Sequence, residues 1–285
     1  MSRPRPKAQR SESLHQQVAR HIRNDIEAGR LRDGQSLPST RELAEEWQVS
    51  PFTITEAMDV LIREGLVVSK PRAGRVVHAP HVTEAARPKA SATQVVFVGG
   101  FAGSGKTELG RVLARETGWA MLDKDTTTRS VVEVALEMQG LSPNDRESDV
   151  YVDKIRPREY EALIATMTEN VQCGNSVIVT APFIREFSDP AWVSRIQATC
   201  KDLGAVPSFV WVYCDASTMH TYVRHRGAAR DAAKLANWDT YVAGIDLELR
   251  PPVPHVVIDN SASSRPLQDQ ARDLVSTILN EDAPK

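Results

Sequence analysis

The segment GFAGSGKT at residues 100–107 matches the pattern G-x-x-x-x-G-K-[ST] in full. Glycines at these positions let the backbone curl so that successive N–H groups point inward at a phosphate chain. Lys106 is then placed to bridge the β- and γ-phosphates of a nucleoside triphosphate, and the Thr107 hydroxyl to hold Mg²⁺. The motif predicts a site for ATP with magnesium. Its residues are Gly100, Gly103, Ser104, Gly105, Lys106 and Thr107.

The elements around this loop are those that such a loop requires. The run Gln94–Val98 is β-branched and aromatic, which is typical of a buried parallel strand. A helix from about Lys106 to Glu116 follows and directs its positive end at the phosphates. Four more strands and their intervening helices predict an α/β domain with a parallel sheet. These strands are Trp119–Leu122, Gly174–Phe183, Ser208–Cys214 and His255–Asp259; helices are expected at Pro157–Val171 and Leu267–Leu279.

The second predicted strand ends in Leu122-Asp123-Lys124-Asp125, where an open parallel sheet places its ligands. LDKD at this place resembles the zeta-toxin-like and chloramphenicol-phosphotransferase-like small kinases, a group related to the nucleotide kinases. The resemblance implies that Asp125 accepts the proton of an acceptor hydroxyl and that Asp123 reaches Mg²⁺ through water. Without it, the acid pair could equally cap the next helix. Thr180 stands where a Walker-B carboxylate would end the third strand, which argues against a motor or GTPase-type site.

Two segments, RPREYEAL and APFIRE, resemble the acceptor side of the same kinases. The resemblance implies that Arg156, Tyr160 and Arg185 contact a small hydroxylated acceptor. A different interpretation is that these residues are charges and a ring on helix ends.

The pattern RG-x-x-RD-x-x-KL at residues 226–235 resembles the lid of these kinases. It implies that Arg226 and Arg230 close over the phosphates and stabilise the transition state. Their four-residue spacing, continued by Lys234, predicts one helix with one basic face. The alternative is a solvated face paired with Asp231 and Asp239.

The N-terminal part predicts three helices and a hairpin. Apolar residues recur every four positions in the first helix, which should end near Gly29. Ser39-Thr40-Arg41-Glu42 is a capping box for a helix to Trp47, and Ser50-Pro51 starts a third helix that runs to about Glu64. Strands at 66–69 and 75–78 flank a turn at 71–74. The apolar stripes are Leu14, Val18, Ile22 and Ile26 in the first helix, and Ile54, Ala57, Met58 and Leu61 in the third.

The segments LPSTRELAEEWQVS and EGLVVSKPRAGRVV resemble the winged helix-turn-helix of GntR-type bacterial regulators over residues 12–78. The resemblance implies that the third helix enters the major groove of double-stranded DNA and that the wing touches the backbone or minor groove. The chain departs from the family at Pro51 and Thr55, where arginine is usual or frequent, and Glu56 adds an acid, so base readout should differ. The candidate DNA contacts are Arg41, Ser50, Thr53, Lys70, Arg72 and Arg75. Retention of the fold for dimerisation or protein contact is the alternative.

Composition fits two globular domains within 285 residues, which are 41% hydrophobic and 25% charged. We assign residues 1–78 to the winged helix-turn-helix, 79–93 to a linker and 94–285 to the P-loop domain. The first 90 residues carry 15 lysines and arginines against 11 acids, and the rest 20 against 26, so the N-terminal part is basic and suits a polyanion.

The three cysteines lack metal or disulfide spacing and are expected to be buried thiols. With no apolar run long enough for a membrane span and no signal peptide, a cytoplasmic location is expected.

The leading hypothesis is a DNA-binding transcriptional regulator fused to an ATP-dependent phosphotransferase. One alternative is a transcription factor whose P-loop domain senses ATP or a ligand with little turnover. Another is a small-molecule kinase whose winged helix no longer binds DNA. Winged-helix regulators generally act as dimers on two half-sites, so a homodimer is a further expectation.

Overall fold

A computed structural model describes residues 13–70, 74–78, 92–227 and 231–281. The chain divides into two compact units, one mainly within residues 1–81 and the other mainly within 82–285. In the described residues, no helix combines the length and the apolar character that crossing a bilayer requires.

The first unit is a winged helix-turn-helix. Its helices are α1 (Leu14–Glu27), α2 (Thr40–Trp47) and α3 (Pro51–Arg63), followed by the antiparallel strands β1 (Val67–Lys70) and β2 (Gly74–Val77). The predicted capping box is present: the Ser39 hydroxyl accepts from the Glu42 N–H, and the Glu42 carboxylate accepts from the Ser39 N–H. This box fixes the start of α2.

A single hydrophobic core holds these helices. The predicted inward stripe of α3 is confirmed, since its four residues have no exposed surface. The predicted stripe of α1 is wrong at Leu14, which is 58% exposed, because the first turn of α1 extends beyond this core. Burial of α1 starts at Val18, one turn later.

The second unit is built on a five-stranded, fully parallel sheet in the order β4-β5-β3-β6-β7. The sheet agrees with the predicted α/β class, and the strands differ from the predicted bounds by a few residues at their ends. Their bounds are β3 (Thr93–Gly99), β4 (Ala120–Asp123), β5 (Val177–Thr180), β6 (Ala205–Tyr213) and β7 (Val256–Asp259). In this order the loop after β3 lies between the ends of β5 and β6, at the middle of the sheet edge.

Helices cover both faces of this sheet. Alternate residues of β3 serve the two sides: Val95 and Phe97 pack with α6 and α8, whereas Val96 and Val98 pack with α4 and α12. The helices are α4 (Lys106–Thr117), α5 (Lys124–Met138), a short π-helix (Val150–Ile155), α6 (Arg156–Gln172), α7 (Ile184–Ser188), α8 (Pro190–Asp202), α9 (Ala216–Arg226), α10 (Ala232–Ala236), α11 (Trp238–Ala243) and α12 (Leu267–Glu281).

The predicted single basic helix is wrong. Helix α9 ends at Arg226 because Gly227 adopts a left-handed conformation, with φ 58°, and caps it with an N–H bond to the Arg224 carbonyl. Lys234 belongs to the separate helix α10, whereas Arg230 and the side chain of Arg226 lie outside the described part. Arg226 and Lys234 therefore belong to two different helices.

The cysteine prediction is correct for two of three thiols. Cys200 and Cys214 are buried, but Cys173 is exposed. Cys173 follows the last turn of α6, at the point where the chain leaves the core.

Candidate functional site

The loop of residues 100–107 leads directly from β3 into α4, as its motif requires. Gly100, Gly103 and Gly105 all have positive φ, at 145°, 86° and 97°, which side chains rarely adopt. Close packing also excludes side chains, because a Cβ on Gly100 would come within 2.6 Å of the Val212 carbonyl oxygen. No side chain caps α4 at Gly105, so its first turn is built as an anion-binding terminus.

Asn260 supports this loop from the end of β7. Its side-chain Nδ2 donates to the Ser104 carbonyl at 3.0 Å, and its side chain lies against Gly105, where an added Cβ would collide with that nitrogen. Asn260 is 1% exposed. Asn260 was not among the candidates from the sequence; its position directly after the carboxyl end of a predicted parallel strand was the available signal.

A cavity of about 370 Å³ opens beside the loop, at the carboxyl ends of the strands. It brings together residues that four separate segments of the sequence contributed as candidates. These are Lys106, Thr107, Asp123, Asp125, Arg156, Tyr160 and Arg185. Lys234 lines it as well, and its ammonium lies 3.7 Å from the buried carboxylate of Asp231, the partner that the solvated-face interpretation named.

Lys106 lies across its own loop. Its Nζ donates to the Phe101 carbonyl at 2.7 Å, inside the cavity. A triphosphate bound by the loop would offer charged acceptors to this same ammonium, which bind it more strongly than a neutral carbonyl.

Asp123 caps the next helix with one carboxylate oxygen and faces two hydroxyl groups with the other. Its Oδ1 caps α5 by accepting from the Thr126 N–H at 2.9 Å. Its Oδ2 accepts from the Thr180 hydroxyl at 2.7 Å and from the Thr107 hydroxyl at 3.3 Å. The residue that replaces a Walker-B acid on β5 therefore orients the acid supplied by β4.

The donor set at this point suits magnesium. Mg²⁺ prefers oxygen ligands and is usually bound by one or two carboxylates together with substrate phosphates, rather than by an all-protein cage. The Thr107 hydroxyl and the Asp123 carboxylate offer oxygen atoms of this kind, 3.3 Å apart. The described residues contain no cluster of three or more His, Cys, Asp or Glu that could hold a metal ion.

Asp125 is held by a buried polar network beneath the cavity. Its carboxylate lies 2.9 Å from Nζ of Lys124, which is itself 2.7 Å from Glu159. Glu159 also accepts from the hydroxyls of Thr128 and Tyr151, at 2.8 and 2.7 Å. Burial, with the nearby Glu159 charge, raises the pKa of Tyr151 far above its ordinary value, so this hydroxyl stays a donor. Local sequence patterns missed the network, since Lys124 and Glu159 lie 35 positions apart.

The three residues predicted to contact the phosphate acceptor differ in their hydrogen-bond partners and in their exposure. The Arg156 guanidinium pairs with Glu186 at 2.8 Å and lies over the Tyr160 ring at 4.4 Å. Burial would lower the pKa of Arg156, but Tyr160 and Glu186 raise it overall. Tyr160 is 6% exposed, its hydroxyl accepts from the Phe183 N–H at 3.4 Å, and burial raises its pKa. Arg185 is exposed and makes no ion pair with a described residue.

The described candidate DNA contacts of the first unit lie on α2, at the start of α3 and on the two strands of the wing. Arg41 on α2 is 88% exposed beside Glu45, and Lys70 is exposed at the end of β1. Arg75 on β2 donates to the Thr40 hydroxyl at 2.8 Å and so ties the wing to the start of α2.

Ser50 and Thr53 have a local role at the start of α3. The Ser50 hydroxyl accepts from the Thr53 N–H at 3.1 Å, and the two hydroxyls lie 2.9 Å apart. Arg72 lies outside the described residues.

Fold and site together define a two-part protein, a winged helix-turn-helix followed by an α/β P-loop domain. The chain belongs to the AAA domain family, whose model matches residues 95–247. Residues 14–77 match the model for bacterial regulatory proteins of the gntR family. The chain thus joins a gntR-family helix-turn-helix domain to a P-loop domain of kinase-like fold.

Individual relatives match one part or the other. An uncharacterized HTH-type transcriptional regulator, YdeL of Bacillus subtilis, is 41% identical over 61 residues, which are 21% of this chain and 13% of that protein. A shikimate kinase of Moorella thermoacetica is 34% identical over 113 residues, 37% of this chain and 61% of the relative. The chain thus covers less than two thirds of the length of either relative. A sugar kinase structure from Janibacter sp. is 20% identical, with a TM-score of 0.44, over 67% of this chain and 96% of that one.

Proposed function

We propose that the second unit transfers the γ-phosphate of ATP to a small hydroxylated acceptor, and that the first unit binds double-stranded DNA to regulate transcription. The catalytic part of this proposal rests on one observation. A shared cavity is lined by Lys106, Thr107, Asp123 and Asp125. A phosphate-binding loop, a magnesium-compatible oxygen pair and a candidate base share one space there. The similarity to a shikimate kinase supports the same reaction class.

Each residue has a role in this proposal. Amides of the loop at Gly100, Gly103, Ser104 and Gly105 would bind the phosphates, and Lys106 would neutralise charge that develops on the transferred group. Magnesium, when bound, would supply further charge neutralisation, held by the Thr107 hydroxyl and, through water, by Asp123. Asp125 would take the proton of the acceptor hydroxyl as its oxygen bonds to phosphorus, while the β–γ bridging bond breaks and leaves ADP.

The acceptor would lie between Asp125 and the cationic wall of the cavity. Arg185 is the group there with its donors available, whereas Arg156 and Tyr160 form a fixed surface beneath it. Arg226, the last residue of α9, and Arg230 are proposed to close over the phosphates. We propose the domain limits 1–78 and 94–285 joined by a linker at 79–93, of which residues 79–91 lie outside the described part.

The catalytic proposal is tested by incubating the purified full chain with ATP, Mg²⁺ and fractionated metabolite pools, and searching by mass spectrometry for products heavier by one phosphate. Lys106→Ala is the matched control. We expect a product that the wild type forms and the variant does not. Magnesium-dependent ATP binding without any such product, combined with ATP-dependent DNA affinity, would instead favour a sensor.

The DNA proposal is tested with a random-sequence duplex pool and the full chain. Selection should enrich a defined site, whose affinity falls with salt according to the number of phosphates contacted by Arg41, Lys70, Arg72 and Arg75. Weak binding that is indifferent to sequence would favour a kinase whose winged helix has lost this activity.

A further inference from the structure

Helix α3 presents a large apolar side chain to solvent at its first turn. Phe52, the second residue of the helix, is 72% exposed. A single exposed aromatic ring does not by itself indicate a binding function. The position of Phe52 in the fold, however, is informative. In a helix-turn-helix the N-terminal residues of the second helix contact base edges in the major groove.

Phe52 shares its face of the helix with two other side chains. Thr55 and Glu56 follow at three and four positions, which places them beside Phe52 and away from the buried stripe that includes Ile54. The Thr55 hydroxyl donates back to the Pro51 carbonyl at 3.1 Å, so this donor is engaged within the helix.

The same face lacks the group that most often reads guanine. Between Ser50 and Ile62 the sequence contains neither arginine nor lysine. The first cation of the helix is Arg63 in its last turn, where its Nε donates to the Asp59 carbonyl. A forked arginine contact to guanine from the first turn is therefore unavailable, and the large exposed side chain of this turn is an aromatic ring.

The chemistry that fits an exposed ring in the major groove is the 5-methyl group of thymine. Among the four bases, only thymine presents an apolar group there, and phenylalanine is one of the side chains that contact it. DNA is the occupant favoured by charge, because the first 90 residues carry a basic excess and Lys70 and Arg75 lie on the wing of the same unit. Glu56, which would repel phosphate, can accept from the amino group of cytosine.

We propose that Phe52 is a specificity-determining residue that reads a thymine methyl group, so that the recognised site is set by a T·A pair rather than by a guanine. This inference rests on the proposed DNA-binding function.

The test uses the full chain and a site selected from a random duplex pool. Each thymine of that site is replaced in turn by deoxyuridine, which pairs in the same way but lacks the 5-methyl group. We expect one replacement to weaken wild-type binding about fourfold, the effect of one buried methyl group. Phe52→Ala should lose about the same affinity on the unmodified site and show no further loss on the deoxyuridine site.

The control is Leu14→Ala, which removes another exposed apolar side chain of the same unit. It should keep the affinity and the response to deoxyuridine. Because Phe52 is 72% exposed, its replacement should leave folding intact, which circular dichroism checks.

Three results would overturn the inference. Selective binding that ignores every deoxyuridine replacement would refute the methyl readout while leaving the DNA-binding function in place. A Phe52→Ala protein that stays methyl-sensitive but changes its oligomeric state in sedimentation would assign the ring to a protein contact. A pool that yields no enriched site would remove the proposed DNA function together with the inference.

Discussion

At the scale of single residues, the cavity separates the acid that would take a proton from the acid that would bind metal. Asp125 is 35% exposed and paired with buried Lys124, whereas both oxygens of Asp123 are engaged by hydroxyl and N–H donors. Two carboxylates two positions apart therefore have different environments, and their replacements should have different effects.

Asp125→Asn should abolish phosphate transfer without weakening nucleotide binding. The amide keeps the shape but cannot accept the proton, and loss of general base catalysis lowers kcat by about 100-fold or more. ATP affinity measured by calorimetry should stay within about twofold, because the loop is intact. Glu147→Gln, another acid on the cavity wall, is the control and should leave kcat unchanged. Undiminished turnover in Asp125→Asn would exclude this residue as the base.

Thr180→Val should raise the magnesium concentration that the enzyme requires. The change removes the hydroxyl that donates to Asp123 Oδ2 at 2.7 Å and keeps the volume. Loss of such a bond to a metal-binding carboxylate typically lowers metal affinity about 10-fold or more. The rate of phosphate transfer, measured over a range of Mg²⁺ concentrations, gives this requirement. Thr117→Val, whose hydroxyl contacts the Leu113 carbonyl, is the matched control. A normal magnesium requirement in Thr180→Val would show that this hydroxyl does not tune the site.

At the scale of elements, local signals in the sequence predicted where helices begin better than where they end. Ser39 and Ser50 marked the starts of α2 and α3 because a capping hydroxyl acts within its own turn. The end of α9 was missed because the charge spacing is unbroken across Gly227, whose left-handed backbone ends the helix. A periodic pattern of side chains carries no information about a backbone angle.

The start of α9 offers a test of capping and pH. The Asp215 carboxylate accepts from the Thr218 N–H at 2.9 Å and from the hydroxyls of Ser217 and Thr218. Burial alone would raise the pKa of Asp215, but these hydrogen bonds hold it below the ordinary value. A carboxyl with a depressed folded-state pKa stabilises the protein above its unfolded pKa, near 3.9, and this stabilisation is lost as pH falls through the folded value.

Asp215→Ala should therefore lower the free energy of unfolding by about 1 kcal/mol at pH 7, and the difference should shrink below about pH 4. Urea unfolding across this pH range measures it. Asp239→Ala removes an acid from the first turn of α11 that makes no cap, and it should have little effect. A difference for Asp215→Ala that persists undiminished at low pH would assign its stabilisation to packing instead of charge.

At the scale of the whole molecule, the two units and the class of the sheet could be predicted, but the hydrogen bonds that complete the site could not. The P-loop and the β-branched run before it carry their own local chemistry. The bonds that complete the site join distant positions: Thr180 to Asp123 across 57 positions, and Asn260 to Ser104 across 156. Such pairs arise only when parallel strands bring their carboxyl ends to one edge of the sheet.

The separate cores predict separate thermal responses to ligand. The cluster that holds α1, α2 and α3 shares no residue with the two clusters on the faces of the parallel sheet. Nucleotide with magnesium at about 100 times its dissociation constant should stabilise the P-loop unit by about 2.7 kcal/mol. In calorimetry of the full chain, one transition should move to higher temperature while the winged-helix transition stays in place. Lys106→Ala should abolish the shift without removing either transition. A nucleotide that moves both transitions together would mean that the two units respond as one cooperative body, and regulation of DNA binding by ATP would then have a direct physical route.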